Sequence, residues 1–214
     1  MNYSTRKYVL TGRTPLLGSN PANPKIHAEY VAAKAASLMK GQEETSMLPS
    51  KEKLDEMIAD IKQQGLTVFL RDGDKLVLSG HVIKGFFKAA LSTLKSQLCV
   101  GSPKSKIDEL LFIGENYIPL QRRDGEYITK PDSICERSLR AETMQGPRVS
   151  LCASEQVDEW QITVTLTLVE NAGSAKSKPL TWDVIEECLN YGYLKGLGQW
   201  RNSGLGSFTW ERIE

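Results

Sequence analysis

The 214-residue chain has little of what most metal-binding or catalytic frameworks require. It carries two histidines, His27 and His81, and four cysteines, Cys99, Cys135, Cys152 and Cys188, scattered with no CxxC pair. That spacing argues against a zinc site, and the thiols read as buried and reduced. So few histidines leave little room for a Ser/His/Asp or Cys/His nucleophile, and no metal or cofactor is expected. An excess of one charge is missing too. With 27 Lys and Arg against 26 Asp and Glu the net charge is +1, so any nucleic-acid site has to be a local patch. No stretch approaches the ~20 apolar residues of a membrane span, and Met1 to Arg6 lacks the apolar run of a signal peptide. A cytoplasmic protein with no membrane partner is the expectation. There is also no Walker A GK[ST], no Rossmann fingerprint, no internal repeat and no low-complexity tract. What is present is ordinary for a globular chain, 40% hydrophobic and 25% charged, with length enough for one good core and a sizeable insertion.

Lys7 to Arg13 reads as a strand that ends at Thr14-Pro15, and Gly18 to Pro24 as a loop. His27 to Lys40 has helical character. Ser50 can cap a second helix with the stripe Leu54, Met57, Ile58 and Ile61, stopping at Gly65. Leu66–Leu70 and Lys75–Leu78 flank Arg71-Asp72-Gly73-Asp74, a hairpin signal, which makes Asp72 and Asp74 turn residues. A helix from His81 to about Leu98 follows, with Val82, Phe86, Ala90 and Leu94 toward the core and Lys84, Lys88 and Lys95 on another face. Gly101 to Pro147 is weakly patterned, with strand candidates at Asn116–Leu120 and Ile134–Glu142. From Trp160 to Leu168, apolar residues alternate with Gln161, Thr163, Thr165 and Thr167, the clearest strand of the chain. Thr181 can cap a helix to about Leu194, and a strand over Ser207–Ile213 closes the chain. The order strand, helix, strands, helix, strand predicts an α+β, ferredoxin-like (RRM-type) βαββαβ core. One domain over 1–214 is expected, with a helical insertion at about 19–65 and a second, irregular or hairpin region at about 101–150.

Two segments carry the chemistry of an anion site. In Leu78-Ser79-Gly80-His81-Val82-Ile83-Lys84-Gly85, Ser79 is placed to cap, Gly80 allows close approach to the free N–H groups of a helix start, and Lys84 lies one turn in. His81 is read as part of that helix end. Gly85 in mid-helix costs about 1 kcal/mol against Ala, which a close backbone approach can offset. The second segment runs from Gly196 to Gly206 with four glycines in eleven residues, arranged GxG and GxG around a polar centre: Gly198 and Gly204 can turn backbone amides to a ligand, Trp200 can stack on a base, Arg201 can hold a phosphate and Asn202 a base edge or sugar. Arginines from Arg122 to Arg148, among them Arg137, Arg140 and Arg148, can line a groove. The same features also suit a plain capped helix, a glycine-rich connection and solvated surface arginines. His27 is the candidate general acid or base were the chain a nuclease.

Three segments, in this order, resemble the CRISPR-associated RAMP superfamily. Tyr8-Val9-Leu10-Thr11-Gly12-Arg13-Thr14-Pro15-Leu16-Leu17-Gly18 resembles its first strand and turn. Arg71 to Lys88 resembles the segment of its backbone subunits that enters the first core helix, with Ser79-Gly80-His81-Val82 where the family has Pro-Gly-Ser-Ser and Lys88 in place of its final Arg. The glycine loop with Ser207-Phe208-Thr209-Trp210-Glu211 resembles the closing signature, and Ala141 to Val149 more loosely a run near the middle strands. The matches cover about a quarter of the chain.

The resemblance implies an RRM-like core that binds single-stranded guide RNA, with single-stranded DNA or a target strand as other ligands. It also implies head-to-tail copies along the RNA, other effector subunits as partners and a place in antiviral defence. By position it assigns RNA contacts to Ser79, Gly80, His81, Lys84, Gly198, Arg201, Asn202 and Gly204, beside Lys88 and Trp200. Gly18 to Ile26 contains no Asp or Glu, where slicing members of the family carry an Asp, so a non-catalytic backbone subunit or stand-alone relative is expected. The alternatives are a RAMP-type endoribonuclease that processes guide precursors and an assembly protein that binds other proteins.

Overall fold

The computed structural model describes residues 2–22, 66–143, 146–170 and 178–214, and only the backbone of residues 138–143 and 146–151. The helices expected over His27–Lys40 and Ser50–Gly65 lie outside the described residues. In chain order the first strands are β1 (Tyr3–Gly12), β2 (Leu16–Leu17), β3 (Asn20–Pro21), β4 (Leu66–Val68), β5 (Leu70–Asp72) and β6 (Lys75–Ser79). Then come α1 (Gly80–Leu98), α2 (Pro103–Leu110), β7 (Leu111–Ile113), β8 (Tyr117–Pro119), β9 (Ser133–Thr143) and β10 (Gly146–Val157). The chain closes with β11 (Gln161–Val169), α3 (Trp182–Tyr191), a 3-10 turn at Arg201–Ser203 and β12 (Phe208–Arg212). The described residues thus form an α+β fold with mixed strand pairing and three α-helices. None of these helices is long and apolar enough to cross a membrane.

The chain divides into two compact units. The larger comprises residues 1–18, 69–133 and 156–214, and the smaller 19–68 and 134–155. In the larger unit a four-stranded sheet has the order β12-β1-β11-β7, every neighbouring pair antiparallel. Alternation explains its two faces. Ile162, Val164, Leu166 and Leu168 of β11 are buried, and opposite them in register stand Leu10 with Ile162 and Tyr8 with Val164. The intervening Thr163, Thr165 and Thr167 stay half-exposed. Against the apolar face pack α1, through Ile83, Phe86, Phe87, Ala90 and Leu91, and α3, through Val184, Ile185, Cys188 and Leu189. Trp160 completes the core and donates its indole N–H to the Thr14 carbonyl at 2.9 Å. A small sheet of β5, β6 and β8 carries the hairpin turn expected at Arg71–Asp74. In the smaller unit β4 pairs antiparallel with β3 and parallel with Ala153–Ser154 of β10, and β9 pairs with β10.

Several expectations need correction. The buried face of α1 runs through Ile83, Phe86, Phe87, Ala90 and Leu91; of the expected line Phe86 and Ala90 are buried and Val82 packs on the core half-buried, while Leu94 is half-exposed. Steps of four residues overshoot a turn of 3.6 by about 40° each, so a straight i+4 line leaves the core face after two turns. Neither Ser79 nor Thr181 makes a side-chain cap bond. Of the cysteines only Cys188 is buried, its thiol pushed up to about 12 by desolvation; Cys99 is exposed and Cys135 and Cys152 are half-buried. All four are free thiols. The helix α2, the strand β7 and the start of β1 at Tyr3 were not expected, and α3 ends at Tyr191, short of Leu194.

Candidate nucleic-acid interface

Pairing of β6 with β8 sets Ser79 opposite Tyr117 and delivers the start of α1 to the side of β7. Here Ser79, Gly80, His81 and Lys84 line one open pocket of about 460 Å³. Ser79 does not cap the helix; its hydroxyl lies 2.6 Å from His81 Nδ1, which fixes the imidazole. Gly80 is buried, and its N–H donates to the Asn116 carbonyl at 2.8 Å. A Cβ at Gly80 would stand 2.5 Å from the Glu115 carbonyl oxygen, so glycine is required there by the adjacent backbone before any ligand is considered. Lys84 Nζ donates to the Asp108 carbonyl at 3.0 Å and lies 5.3 Å from the centre of the Phe112 ring. One turn on, Lys88 pairs with the Asp108 carboxylate at 2.6 Å. The two lysines that the sequence places on one face of α1 therefore converge on a single residue of α2. Gly85 has open space where a Cβ would stand, so none of the described residues demands a glycine there.

The glycine loop is built differently from an open cradle of amides. Its ends are closed on each other: a Cβ on Gly196 would collide with the Gly206 backbone, and Leu197 N–H donates to the Gly206 carbonyl at 2.9 Å. Gly206, at φ +69°, donates its N–H to the Pro15 carbonyl at 2.8 Å, and Gly204 N–H is directed to Arg201. Thr14 fastens the loop from the other side. Its hydroxyl donates to the Gly204 carbonyl at 2.8 Å and accepts from Ser207 N–H at 2.9 Å. The segment around Thr14-Pro15 and the closing segment, far apart in sequence, are thus neighbours in space. Between the pinned ends Arg201–Ser203 forms a 3-10 turn with Asn202 and Ser203 exposed and Trp200 and Arg201 half-buried. Directly after the loop, Phe208 touches Phe86 of α1 at 5.3 Å between ring centres. Phe86 lies about 9 Å along the axis from Gly80, at 1.5 Å per residue. The helix start and the glycine loop consequently belong to the same unit, the first beside β7 and the second at the junction of β1 and β12.

The other candidates separate from this site. Arg137 belongs to the smaller unit, where it donates to the Ser154 hydroxyl at 2.8 Å and burial lowers its pKa. Arg140 and Arg148 lie on β9 and β10, but their side chains, like all of His27, fall outside the described residues. Arg122 is a structural residue: it binds the Asp132 carboxylate through both terminal nitrogens and donates to the Glu159 carbonyl at 2.9 Å. This pairing holds the Asp132 carboxyl below its usual range. Sequence reasoning missed Phe112 and Tyr117, which line the same pocket as Lys84 and are 47% and 57% exposed. Among the described residues no group of three or more His, Cys, Asp or Glu side chains forms a metal site.

No protein-family model matches the chain, and neither does any curated protein sequence. Among solved structures the chain is similar to a chain in the cryo-EM structure of the type III-B Cmr-beta bound to cognate target RNA, at 10% identity and a TM-score of 0.41. The likeness covers 99% of this chain and 59% of that one, so the protein spans about three-fifths of its neighbour's length. A likeness of this degree assigns neither family nor activity.

Proposed function

We propose that the protein binds single-stranded RNA on its larger unit, through the start of α1 and the glycine loop, and that it does so without cleaving it. One observation carries the reading. His81 and Lys84 open into one pocket at the start of α1, while the exposed Asn202 and Ser203 stand in the loop that Phe208 ties to the same helix. A cation, a fixed imidazole and a helix start recognise a sugar-phosphate chain, and a local patch is what a net charge of +1 permits. Gly85 adds support, since among the described residues nothing fills the space of its missing Cβ, which leaves room for a ligand backbone.

The strand order β12-β1-β11-β7, with α1 between β1 and β7 in sequence and α3 between β11 and β12, supports a ferredoxin-like (RRM-type) core, elaborated by insertions that contribute the smaller unit. Together with the resemblance of its three segments to RAMP backbone subunits, this core suits a subunit of an RNA-guided effector, or a stand-alone relative. Repeated copies would then contact one another head to tail along the RNA, a heterologous interface that does not close into a ring.

The test is fluorescence anisotropy of a labelled single-stranded RNA, titrated with the protein over a series of salt concentrations. Lys84→Ala should weaken binding similarly for all sequences and flatten the log–log salt dependence by about 0.7–1. An unchanged slope removes Lys84 from the phosphate grip, and absence of RNA binding by the unsubstituted protein refutes the proposal.

A further inference from the structure

Phe112 and Tyr117 are the two exposed aromatic side chains of the α1 pocket. Each is turned outward because its neighbour holds the core. Leu111 and Ile118 are fully buried, and the alternation of β7 and β8 puts the aromatic residue beside each on the opposite side. Exposed rings scattered singly are ordinary; two lining one pocket beside a lysine and a histidine mark a binding surface.

We infer that this pocket takes the base of an unpaired nucleotide, stacked on Phe112 and Tyr117, with its phosphate on Lys84 and His81. The inference rests on the RNA-binding reading and specifies what enters the site. The space of about 460 Å³ falls within the ~300–1,000 Å³ of small-ligand sites. Every base has a π-face, so two rings hold any base, while a neighbouring cation favours the nucleotide over a neutral aromatic compound. Ser79 occupies His81 Nδ1 and leaves Nε2 as the ring nitrogen for a ligand.

The platform is formed in advance. Glu115 of the pocket wall accepts from Thr165 N–H at 3.0 Å and from Thr165 Oγ1 at 2.6 Å. Gly114 N–H is bonded to the Thr165 carbonyl, and the Asn116 carbonyl to Gly80 N–H, both at 2.8 Å. The connection from Phe112 to Tyr117 is thereby held at three successive residues, so little ordering is lost when a base enters. A base inside a duplex cannot reach such a pocket, which makes the site selective for single strands.

Two probes of equal charge test the inference: a labelled single-stranded RNA of mixed sequence, and an abasic oligomer of the same length. The protein should bind the base-bearing strand about tenfold more tightly. Phe112→Leu and Tyr117→Ala should each remove most of that advantage, leave the salt slope and the abasic affinity unchanged, and melt as the parent does. Tyr117→Phe should retain it. A 2-aminopurine base in the RNA should be quenched by the parent and not by the substituted proteins. Equal affinity for the two probes, or full affinity and quenching in both ring variants, overturns the base pocket while RNA binding that depends on Lys84 still stands. If neither probe binds, the RNA-binding reading fails and the pocket with it.

Discussion

Asp108 holds the two lysines that an incoming phosphate would use. Its carboxylate is 2.6 Å from Lys88 Nζ and 4.0 Å from Lys84 Nζ, and the side chain is 49% exposed, so both pairs are partly solvated. Exposed pairs of this kind are worth about 0.2–1 kcal/mol each. A phosphate that replaces the carboxylate gives up that much, and one that binds beside it at about 6 Å meets a repulsion of about 0.7 kcal/mol in water, roughly halved by physiological salt. Asp108→Asn abolishes both costs. It also leaves the backbone carbonyl that accepts from Lys84, so the lysine keeps its position. Displacement of the carboxylate, the larger of these alternative costs at about 1 kcal/mol over the two pairs, predicts roughly fivefold tighter binding of single-stranded RNA at moderate salt, with a steeper salt dependence. Anisotropy titration of parent and variant measures the gain, and adding Lys84→Ala to the variant should cancel much of it because the sites share one partner. Unchanged or weaker RNA binding by a variant that melts within about 1 kcal/mol of the parent would refute the idea that Asp108 competes for the lysines.

Gly206→Ala places a Cβ against the Leu197 backbone at a φ of +69° and should destabilise by more than about 3 kcal/mol, whereas Gly204→Ala, at φ +84° but in open space, should cost about 1–2; chemical denaturation separates them. Gly85→Ala should raise stability by about 0.5–1 kcal/mol through helix propensity and yet reduce RNA affinity, a split that a purely structural glycine would not produce. Because Arg122 holds the Asp132 carboxyl below its unfolded value, that pair stabilises above the ordinary carboxylate range and its contribution is lost as pH falls through the depressed value. Asp132→Asn should therefore cost about 1 kcal/mol at neutral pH, and the difference from the parent should vanish in strongly acidic solution.

The parts of this fold that were legible in the sequence are those whose burial is periodic and one-sided. β11 could be read because each of Ile162, Val164, Leu166 and Leu168 is buried while its neighbours are threonine or glutamine. The hairpin at Arg71–Asp74 announced itself through turn chemistry. By contrast α2 buries only Ile107 among its eight residues, so no amphipathic stripe marks it; Pro103 at its first turn was the available signal. In Leu111-Phe112-Ile113 three apolar residues follow one another, and nothing in such a run says which side chain faces out. The exposure of Phe112 is settled by the antiparallel register with β11, a contact made by residues more than fifty positions away. Ser79 and Gly80 were legible as a helix start and misread in detail, because the partners that claim them, His81 Nδ1 and the Glu115 and Asn116 carbonyls, depend on where β8 lies.

The two halves of the candidate interface differ in how much order they hold before a ligand arrives, and this divides their roles. At the start of α1 the pocket wall is bonded to the sheet through Glu115 and Gly114, and the imidazole is fixed by Ser79. A ligand binding there would lose little conformational entropy, which on the proposed reading assigns this half the affinity. In the glycine loop the ends are pinned by Pro15 and Thr14, and Arg201–Ser203 makes a 3-10 turn with Asn202 and Ser203 exposed. A segment so anchored can adjust its centre without moving its ends, at a modest ordering cost for each side chain immobilised. The lysine pocket is thus suited to fix one nucleotide, and the loop to follow the sugar-phosphate chain that leaves it.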